Sequence, residues 1–175
     1  MSETIANLVA RPRDASDDDF ILRLSDRVFS PYSRRPMGAM ASMLAEDGAL
    51  TMVAEARGHE LPDADPVGPE RRAGFFVVAV KRLGKRFGPW DDPATAHLNA
   101  IGVRADLRGR GVGRFLLVNA LAAARGRGAV CLALMTAETN TRARRLFVAG
   151  GFVTLLALDH AYAKGQRGIL MMKPL

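Results

Sequence analysis

Residues Leu107–Leu117 read LRGRGVGRFLL, and this stretch decides the fold. The alternating segment Ala94–Val103 (ATAHLNAIGV) before it predicts a strand. Val112–Arg125 after it has no charge between Phe115 and Ala124, which predicts a helix buried on most sides. Glycines let a backbone approach a ligand closely, and the N–H groups at a helix start attract anions. The turn therefore predicts an anion site.

Three kinds of glycine-rich turn fit this stretch to different degrees. A nucleotide P-loop needs Gly-Lys-Ser/Thr after the glycines, whereas this chain has GRF at 113–115. A dinucleotide fingerprint needs G-x-G-x-x-G and an acid about 20 residues later. The glycine spacing here is G-x-G-x-G, and no acid occurs between Asp106 and Glu138. A turn with a purely structural role remains an alternative interpretation. Four nearby arginines favour phosphate binding instead: Arg104, Arg108, Arg110 and Arg114.

The rest of the chain predicts alternating strands and helices. Strands are predicted at Thr4–Arg11, Leu50–Ala56, Ala73–Lys81, Ala94–Val103, Ala129–Met135, Phe152–Leu156 and Gly168–Lys173. Helices are predicted at Ala15–Phe29, Met37–Glu46, Val112–Arg125 and Asn140–Ala149. The order β-α-α-β-β-β-α-β-α-β-β predicts an α/β fold of the α+β type. It has a single mixed, mostly antiparallel sheet with helices on both faces.

The net charge of +7 is unevenly distributed. Residues 101–175 hold twelve basic and three acidic side chains, whereas residues 1–100 are mildly acidic. Such a basic half favours a polyanionic ligand, either a nucleic acid or a phosphorylated cofactor. Arginine-rich composition is the alternative explanation. A nucleic-acid partner is not favoured, because aromatic residues make up only 6% of the chain and no recognition-helix motif is present.

Composition excludes several other classes of protein. The 175 residues fit one domain, 1–175, and the 49% hydrophobic content is that of a globular protein. One cysteine excludes an internal disulfide framework. No apolar run approaches the roughly 18 residues of a membrane span, and no secretory signal is evident. The three histidines are scattered, so no metal site is expected. We therefore expect a cytoplasmic protein without a membrane partner.

Two segments resemble a known family. Arg108-Gly109-Arg110-Gly111-Val112-Gly113 resembles the R/Q-x-x-G-x-G/A pyrophosphate loop of the GNAT superfamily of N-acetyltransferases, and Ala100–Val103 resembles that family's fourth strand. Six later residues fit the family pattern N-x-x-A-x-x-L-Y/F-x-x-x-G-F: Asn140, Ala143, Leu146, Phe147, Gly151 and Phe152. The close resemblance covers residues 94–153, which we take as the cofactor-binding core.

The resemblance implies a site for acetyl-coenzyme A between the fourth and fifth strands. The resemblance implies that six residues bind the pyrophosphate: Arg108, Gly109, Arg110, Gly111, Val112 and Gly113. Main-chain groups of Ile101 and Val103 are expected to pair with the pantetheine arm as an added strand does. Asn140 is expected to contact the cofactor, and it also suits a helix cap.

The resemblance further implies that a free amine attacks the thioester. Members often carry Glu near Asn99, and because an amide is no base, His97 becomes the candidate base. At period 2 His97 and Asn99 are expected to share a face with Ile101. A hydrogen-bonded strand histidine is the alternative, and Glu55 is a second candidate base.

The candidate acid departs from the family pattern. Phe147 stands where many members have Tyr, and it has no proton to give. Tyr162 is the candidate substitute, with an ordinary surface position as the alternative. Cys131 lies in the apolar run AVCLALM, so we expect a raised pKa and no covalent acyl-enzyme.

The predicted function is transfer of acetyl from acetyl-coenzyme A to a primary amine of a small molecule, peptide or protein, in a ternary complex. Phe29–Pro36 and Leu158–Gln166 are expected to form the acceptor pocket, and Gly58–Glu70 is a long acidic loop. Alternatives are a catalytically impaired acyl-coenzyme A-binding module and, less favoured, a nucleic-acid-binding protein. Either a monomer or a homodimer fits this prediction.

Overall fold

The computed structural model describes residue 5 and residues 7–56, 71–86 and 88–175. The strands within these residues are β1 (Leu8–Pro12), β2 (Ala49–Ala56), β3 (Arg72–Arg82), β4 (Ala94–Val103), β5 (Ala129–Ala137), β6 (Val153–Leu158) and β7 (Gly168–Pro174). The helices are α1 (Asp18–Phe29), α2 (Pro36–Leu44), α3 (Val112–Gly126) and α4 (Thr141–Ala149). The predicted order of elements is confirmed. The predicted loop Gly58–Glu70 lies outside the described residues.

The strands form one seven-stranded sheet in the order β1-β2-β3-β4-β5-β7-β6. The described neighbours are antiparallel except β4 and β5, which run parallel, so the mixed and mostly antiparallel sheet is confirmed. Pairing of β4 with β5 runs from Ala94 opposite Ala129 to Leu98 opposite Leu134, where it ends. The carboxyl ends of these two strands therefore part, leaving a gap in the middle of the sheet.

Helices cover both faces of the sheet, as predicted. Helices α1 and α2 pack Phe20, Ile21 and Met40 against Phe75 and other side chains on one face. On the other face lies a larger core that includes α3 and α4, with these members among its buried side chains: Phe76, Leu116, Leu117, Leu134 and Phe147. Strand β3, which pairs with β4, is buried on both faces from residue 73 to residue 79.

A β-bulge at Asn99 overturns one expectation. Val77 lies opposite Ala100 and Val78 opposite Leu98, so Asn99 is the extra residue in β4. Leu98 and Ile101 consequently point to the α3 face, whereas Ala100 points to the α1 and α2 face. The prediction that His97 and Asn99 share a face with Ile101 is wrong, because a bulge shifts the alternation by one residue.

Helix α3 is less enclosed than predicted. Its buried side chains, such as Leu116 and Leu117, lie on one face, and Val118 is 56% exposed. The uncharged stretch therefore does not mark a helix surrounded by protein. The helix packs on one face of the sheet, and nothing among the described residues covers Val118 fully.

Candidate active site

A cavity of about 1260 Å³ lies where β4 and β5 part. Its wall includes residues 98–101 of β4, the ends of the glycine-rich turn, residues 134–137 of β5 and the start of α4. Residues 31–34 of the α1–α2 loop and residues 160–165 of the β6–β7 loop also line the cavity. The acceptor segments and the cofactor segments predicted from the sequence thus meet in one cavity.

The glycine-rich turn requires glycine at two positions. Gly109 has φ 82° and Gly111 has φ 89°, a left-handed conformation that costs other residues about 1–2 kcal/mol. Gly111 is the N-cap of α3, and no side chain caps this helix. The first N–H groups of α3 are therefore available to a ligand, with the helix dipole behind them. Arg108 and Arg114 line the same part of the cavity.

Gly113 has a different role, which is close packing. A Cβ at this position would lie 3.3 Å from Leu146 Cδ2 and 3.9 Å from Val103 Cγ2. The missing side chain lets the start of α3 approach α4 and β4. Gly113, Val103 and Leu146 all line the cavity at this point.

The main chain of β4 presents free groups to the gap. Arg104 N–H donates to the carbonyl oxygen of Ala73 at 3.1 Å, which fixes the side of β4 that pairs with β3. Antiparallel pairing alternates along a strand, so Gly102 also faces β3, while Ile101 and Val103 direct their N–H and C=O groups towards the gap. Both residues line the cavity. This is an open strand edge inside the sheet.

Asn140 lines the cavity and caps α4. Its Oδ1 accepts a hydrogen bond of 3.3 Å from the N–H of Ala143. The cap is therefore present, and the side chain lies at the cavity wall as well. The two expected roles of Asn140 are compatible in this geometry.

Two predicted cofactor residues do not line the cavity, namely Arg110 and Val112. Val112 is 1% exposed and belongs to the core, so its main-chain N–H is the group it can offer. The carbonyl oxygen of Arg110 accepts a hydrogen bond from the N–H of Ile5. Arg104, expected among the phosphate partners, is 2% exposed and bonds to Asp106 at 2.8 Å. Its charge is neutralised within the fold.

His97 is exposed and does not line the cavity, whereas Asn99 does. The ring Nδ1 lies 2.8 Å from Asn99 Oδ1, and Asn99 Nδ2 donates to Glu46 at 3.3 Å. Glu46 in turn pairs with Lys81 at 2.5 Å. The hydrogen bond from Lys81 is the main reason that the pKa of Glu46 is lowered. His97 reaches the cavity only through Asn99.

Tyr162 lines the cavity and is half-buried, which differs from an ordinary surface position. Its hydroxyl donates to the carbonyl oxygen of Met135 at 2.9 Å, and burial raises the pKa of the phenol to about 12. The ring meets Tyr32 edge-on, with 6.3 Å between the ring centroids. This contact joins the β6–β7 loop to the α1–α2 loop.

The remaining candidates are accounted for structurally. Phe147 is 3% exposed and packs on Phe152 with ring centroids 5.9 Å apart. Glu55 pairs with Arg11 at 2.7 Å and does not line the cavity. Cys131 is half-buried outside the cavity wall, and burial raises its pKa, as predicted. None of these side chains offers a proton or a nucleophile to the cavity.

Sequence reasoning missed one residue that organises the cavity, Gln166. Its Oε1 accepts from Thr139 Oγ1 at 2.5 Å, and its Nε2 donates to the carbonyl oxygens of Pro31 and Ala163 at 2.8 and 3.1 Å. Gln166 therefore ties the β6–β7 loop to the start of α4 and to the α1–α2 loop. No sequence pattern could have found it, since Pro31 lies 135 residues away.

The charges on the cavity wall have one sign. The Lys and Arg residues that line it are Arg34, Arg108, Arg114, Arg142 and Lys164. No Asp or Glu occurs among the described residues of the wall. None of those five side chains has a hydrogen bond or an ion pair with another described residue, unlike Arg11, Arg13 and Arg104. The positive charge on the cavity wall therefore favours the binding of anions.

The described part of the chain has neither a cluster of metal-ligating side chains nor a helix that could span a membrane. No group of three or more His, Cys, Asp or Glu side chains there could hold a metal ion. No helix there combines the length and apolar character needed to cross a membrane.

Comparison with known proteins agrees with this geometry. Residues 24–152 match the model of the Acetyltransferase (GNAT) family. The chain is similar to a GCN5-related N-acetyltransferase from Kribbella flavida, with 26% identity, TM-score 0.66, and coverage of 96% of this chain and 98% of that one. It also shares the fold of Arabidopsis thaliana NAA60 in complex with acetyl-CoA, with 16% identity, TM-score 0.80, and coverage of 97% and 99%.

A third similar structure is the NatC complex bound to Gag peptide and CoA, with 16% identity, TM-score 0.75, and coverage of 97% of this chain and 99% of that one. A search of curated proteins finds no match. The family match covers well over half of the chain, and the predicted fold and family are confirmed. The chain belongs to the GNAT family of acetyltransferases.

Proposed function

We propose that this protein transfers the acetyl group of acetyl-coenzyme A directly to a primary amine bound in the same cavity. The observation that carries the proposal is the open edge of β4 beside an uncapped helix start. Ile101 and Val103 face the gap there, and Gly111 begins α3. An extended amide-containing arm fits the first feature, and a pyrophosphate fits the second.

The residues present fit the cosubstrate well. Arg108 and Arg114 offer charge-assisted hydrogen bonds to phosphate oxygens next to the N–H groups of α3. Arg142, at the start of α4, adds a third cation on the wall. Neighbouring structures of this fold were solved with acetyl-CoA or CoA, which supports the same assignment here.

The chain supplies positioning and electrostatics for the reaction. Bound acetyl-coenzyme A supplies the acetyl thioester and a thiolate leaving group. The N–H groups of β4 that face the gap can donate to an oxygen that becomes negative as the amine attacks. Asn99 lies at the bulge beside them and can hold the amine without accepting its proton.

The charge on the cavity wall affects the protonation of the acceptor amine. Before acetyl-coenzyme A binds, nearby positive charge disfavours an ammonium ion in the empty cavity. In the ternary complex the bound phosphates offset this charge. No described Asp or Glu lines the cavity, so water is the proposed acceptor of the ammonium proton.

The cosubstrate site is tested by Gly111→Glu, with Gly84→Glu as the matched control. Both glycines have a positive φ, 89° and 72°, and Gly84 lies in the β3–β4 loop, where a Cβ would meet no atom within 4 Å. We expect Gly111→Glu to weaken coenzyme A binding at least tenfold in titration calorimetry, while Gly84→Glu binds normally. Equal affinity in a folded Gly111→Glu variant would contradict the placement.

Transfer itself is tested by release of free thiol from acetyl-coenzyme A with a panel of primary amines. The second candidate function, an acyl-coenzyme A-binding module without turnover, is favoured by Phe147, which cannot donate a proton. Tight binding of coenzyme A without thiol release across the panel would select that alternative. Amine-dependent thiol release with formation of the acetylated amine would establish the transferase.

A further inference from the structure

We propose that the acceptor is an amine that also carries a carboxylate, and that Arg34 and Lys164 bind this carboxylate. The inference rests on the proposed function and deepens it by naming the class of acceptor. It starts from the part of the cavity wall where the α1–α2 loop and the β6–β7 loop meet.

These two loops contribute two cations to the wall of one cavity. The N–H of Ala163 donates to the carbonyl oxygen of Tyr32 at 3.0 Å, so the loops are hydrogen-bonded to each other. Lys164 follows Ala163 directly, and Arg34 is two residues beyond Tyr32. Both side chains line the cavity. The two loops therefore present two cations to a ligand in the cavity.

Neither cation has a partner within the described fold. No hydrogen bond or ion pair joins the side chain of Arg34 or Lys164 to another described residue. Elsewhere arginines meet carboxylates, as Arg13 meets Asp18 and Arg167 meets Asp159. A carboxylate on the substrate can accept charge-assisted hydrogen bonds from side chains that have no such partner within the described fold.

The backbone of the β6–β7 loop is held in an unusual form at this place. Lys164 has φ 58° and His160 has φ 55°, both left-handed conformations that are uncommon outside glycine. The hydrogen bonds of Tyr162 and Gln166 hold the loop in place. The Lys164 side chain is thus directed by a fixed loop, and this favours a binding role.

An apolar section of wall lies on the same side of the cavity. Phe29, Met40 and Met43 line it from α1 and α2. These side chains suit an apolar substituent on the acceptor, while the cations suit its carboxylate. The acceptor chemistry that fits is an amine with an apolar group and a carboxylate, whether a free amino acid or an acidic peptide.

The experiment compares acceptors with and without a carboxylate, each with native and variant protein, so that differences in amine basicity within a pair cancel. Leucine is paired with leucinamide, and the dipeptide amide Leu-Glu-NH2 is paired with Leu-Gln-NH2. The first pair tests a free amino acid and the second an acidic peptide. For each acceptor, thiol release gives kcat and KM, and titration calorimetry of the coenzyme A complex gives the acceptor Kd.

The variants are Arg34→Gln and Lys164→Gln, with Arg35→Gln as the control. Arg35 is exposed and adjacent in sequence but does not line the cavity. One lost charge-assisted hydrogen bond corresponds to about tenfold in KM or Kd. In both test variants we expect KM or Kd to rise by this factor for the charged acceptor of one pair. Its neutral partner, the control variant and the coenzyme A affinity should not change.

The possible results separate this inference from the proposed function. A preference for the carboxylate in one pair, lost in Arg34→Gln or Lys164→Gln, supports the inference. Turnover that is equal for charged and neutral acceptors, or unaffected by both variants, overturns it while the transferase stands. If coenzyme A does not bind and no amine is acetylated, both proposals are overturned.

Discussion

The hydroxyl of Tyr162 donates a hydrogen bond of 2.9 Å to the main-chain carbonyl oxygen of Met135. Met135 directly follows Leu134, the last residue of β5 that pairs with β4. The β6–β7 loop is therefore held at the point where the two strands part. This contact holds Tyr162 and its loop at the wall of the cavity.

Tyr162→Phe tests whether the same hydroxyl also serves as the acid. Burial raises the pKa of this phenol to about 12. Protonation of a thiolate, whose conjugate acid has a pKa of about 8.5, is then uphill by about 5 kcal/mol. We therefore expect kcat to fall less than about tenfold, with a larger rise in the KM of the acceptor.

The control for this variant is Tyr32→Phe, because Tyr32 contacts the same ring edge-on and also lines the cavity. Steady-state kinetics with saturating acetyl-coenzyme A separate kcat from KM. A loss of more than about a hundredfold in kcat for Tyr162→Phe alone would assign it general-acid catalysis.

His97→Ala tests the base predicted from the sequence. The imidazole is exposed and outside the cavity wall, and it reaches the site only through Asn99. We expect kcat/KM to change less than about threefold, because such a chain through a neutral amide gives weak coupling. The pH–rate profile of the variant should keep its acidic limb. A hundredfold loss that added imidazole restores would instead establish His97 as the base.

The sequence predicts the elements well but not the direction of side chains in β4. Apolar and polar residues alternate from Ala94 to Ala100, and the apolar Ile101 that follows does not by itself mark Asn99 as a bulge. The bulge arises from pairing with β3, where Val77 and Val78 face Ala100 and Leu98. Pairing between strands is a tertiary property, and for this reason the sequence pattern assigns His97 to the wrong face.

The candidate site is predictable where the signal is local. Gly109 and Gly111 adopt the left-handed backbone that a glycine-rich turn needs. Charge partners are not predictable, since Arg104 and Arg108 look alike in sequence. Arg104 is buried against Asp106, whereas Arg108 lines the cavity. Spatial neighbours decide which arginine remains available to a ligand.

Gln166→Met tests the link between the loops, since methionine keeps the length of the side chain but loses its hydrogen bonds. Gln166 bonds to Thr139, Pro31 and Ala163 across three segments. We expect the acceptor KM to rise about fivefold to tenfold, because a lost hydrogen bond costs about 1 kcal/mol or more. Coenzyme A affinity should stay unchanged in calorimetry.

The matched control is Arg167→Met. Arg167 is the next residue along the loop, it pairs with Asp159 and Glu138, and it does not line the cavity. If both variants raise KM equally, the effect comes from general loosening of the loop. If neither variant does, Gln166 has no part in acceptor binding.

A buried carboxylate joins the start of α1 to the sheet. Asp17 is fully buried and bonds to Arg11 at 2.6 and 2.9 Å, to Arg72 at 2.7 Å and to the N–H of Asp14 at 2.9 Å. Burial acts to raise the pKa of this carboxyl, but the hydrogen bonds from Arg11 and Asp14 and the nearby arginine charges outweigh it. The pKa is lowered below its usual value of 3.8.

Asp17→Asn is expected to reduce the free energy of unfolding by about 3 kcal/mol, because the mostly buried Arg72 loses its carboxylate partner and Arg11 loses the closest of its carboxylate partners. The exposed pair of Asp19 and Arg23 gives the control, Asp19→Asn, which should cost less than about 1 kcal/mol. Since the folded-state pKa of Asp17 is lowered, its stabilisation is full above about pH 4 and is lost as the pH falls through that pKa. Urea unfolding from pH 7 down to pH 3 should therefore show a steeper loss in the native chain than in Asp17→Asn. Parallel curves for the two proteins would show that this carboxylate does not govern acid stability.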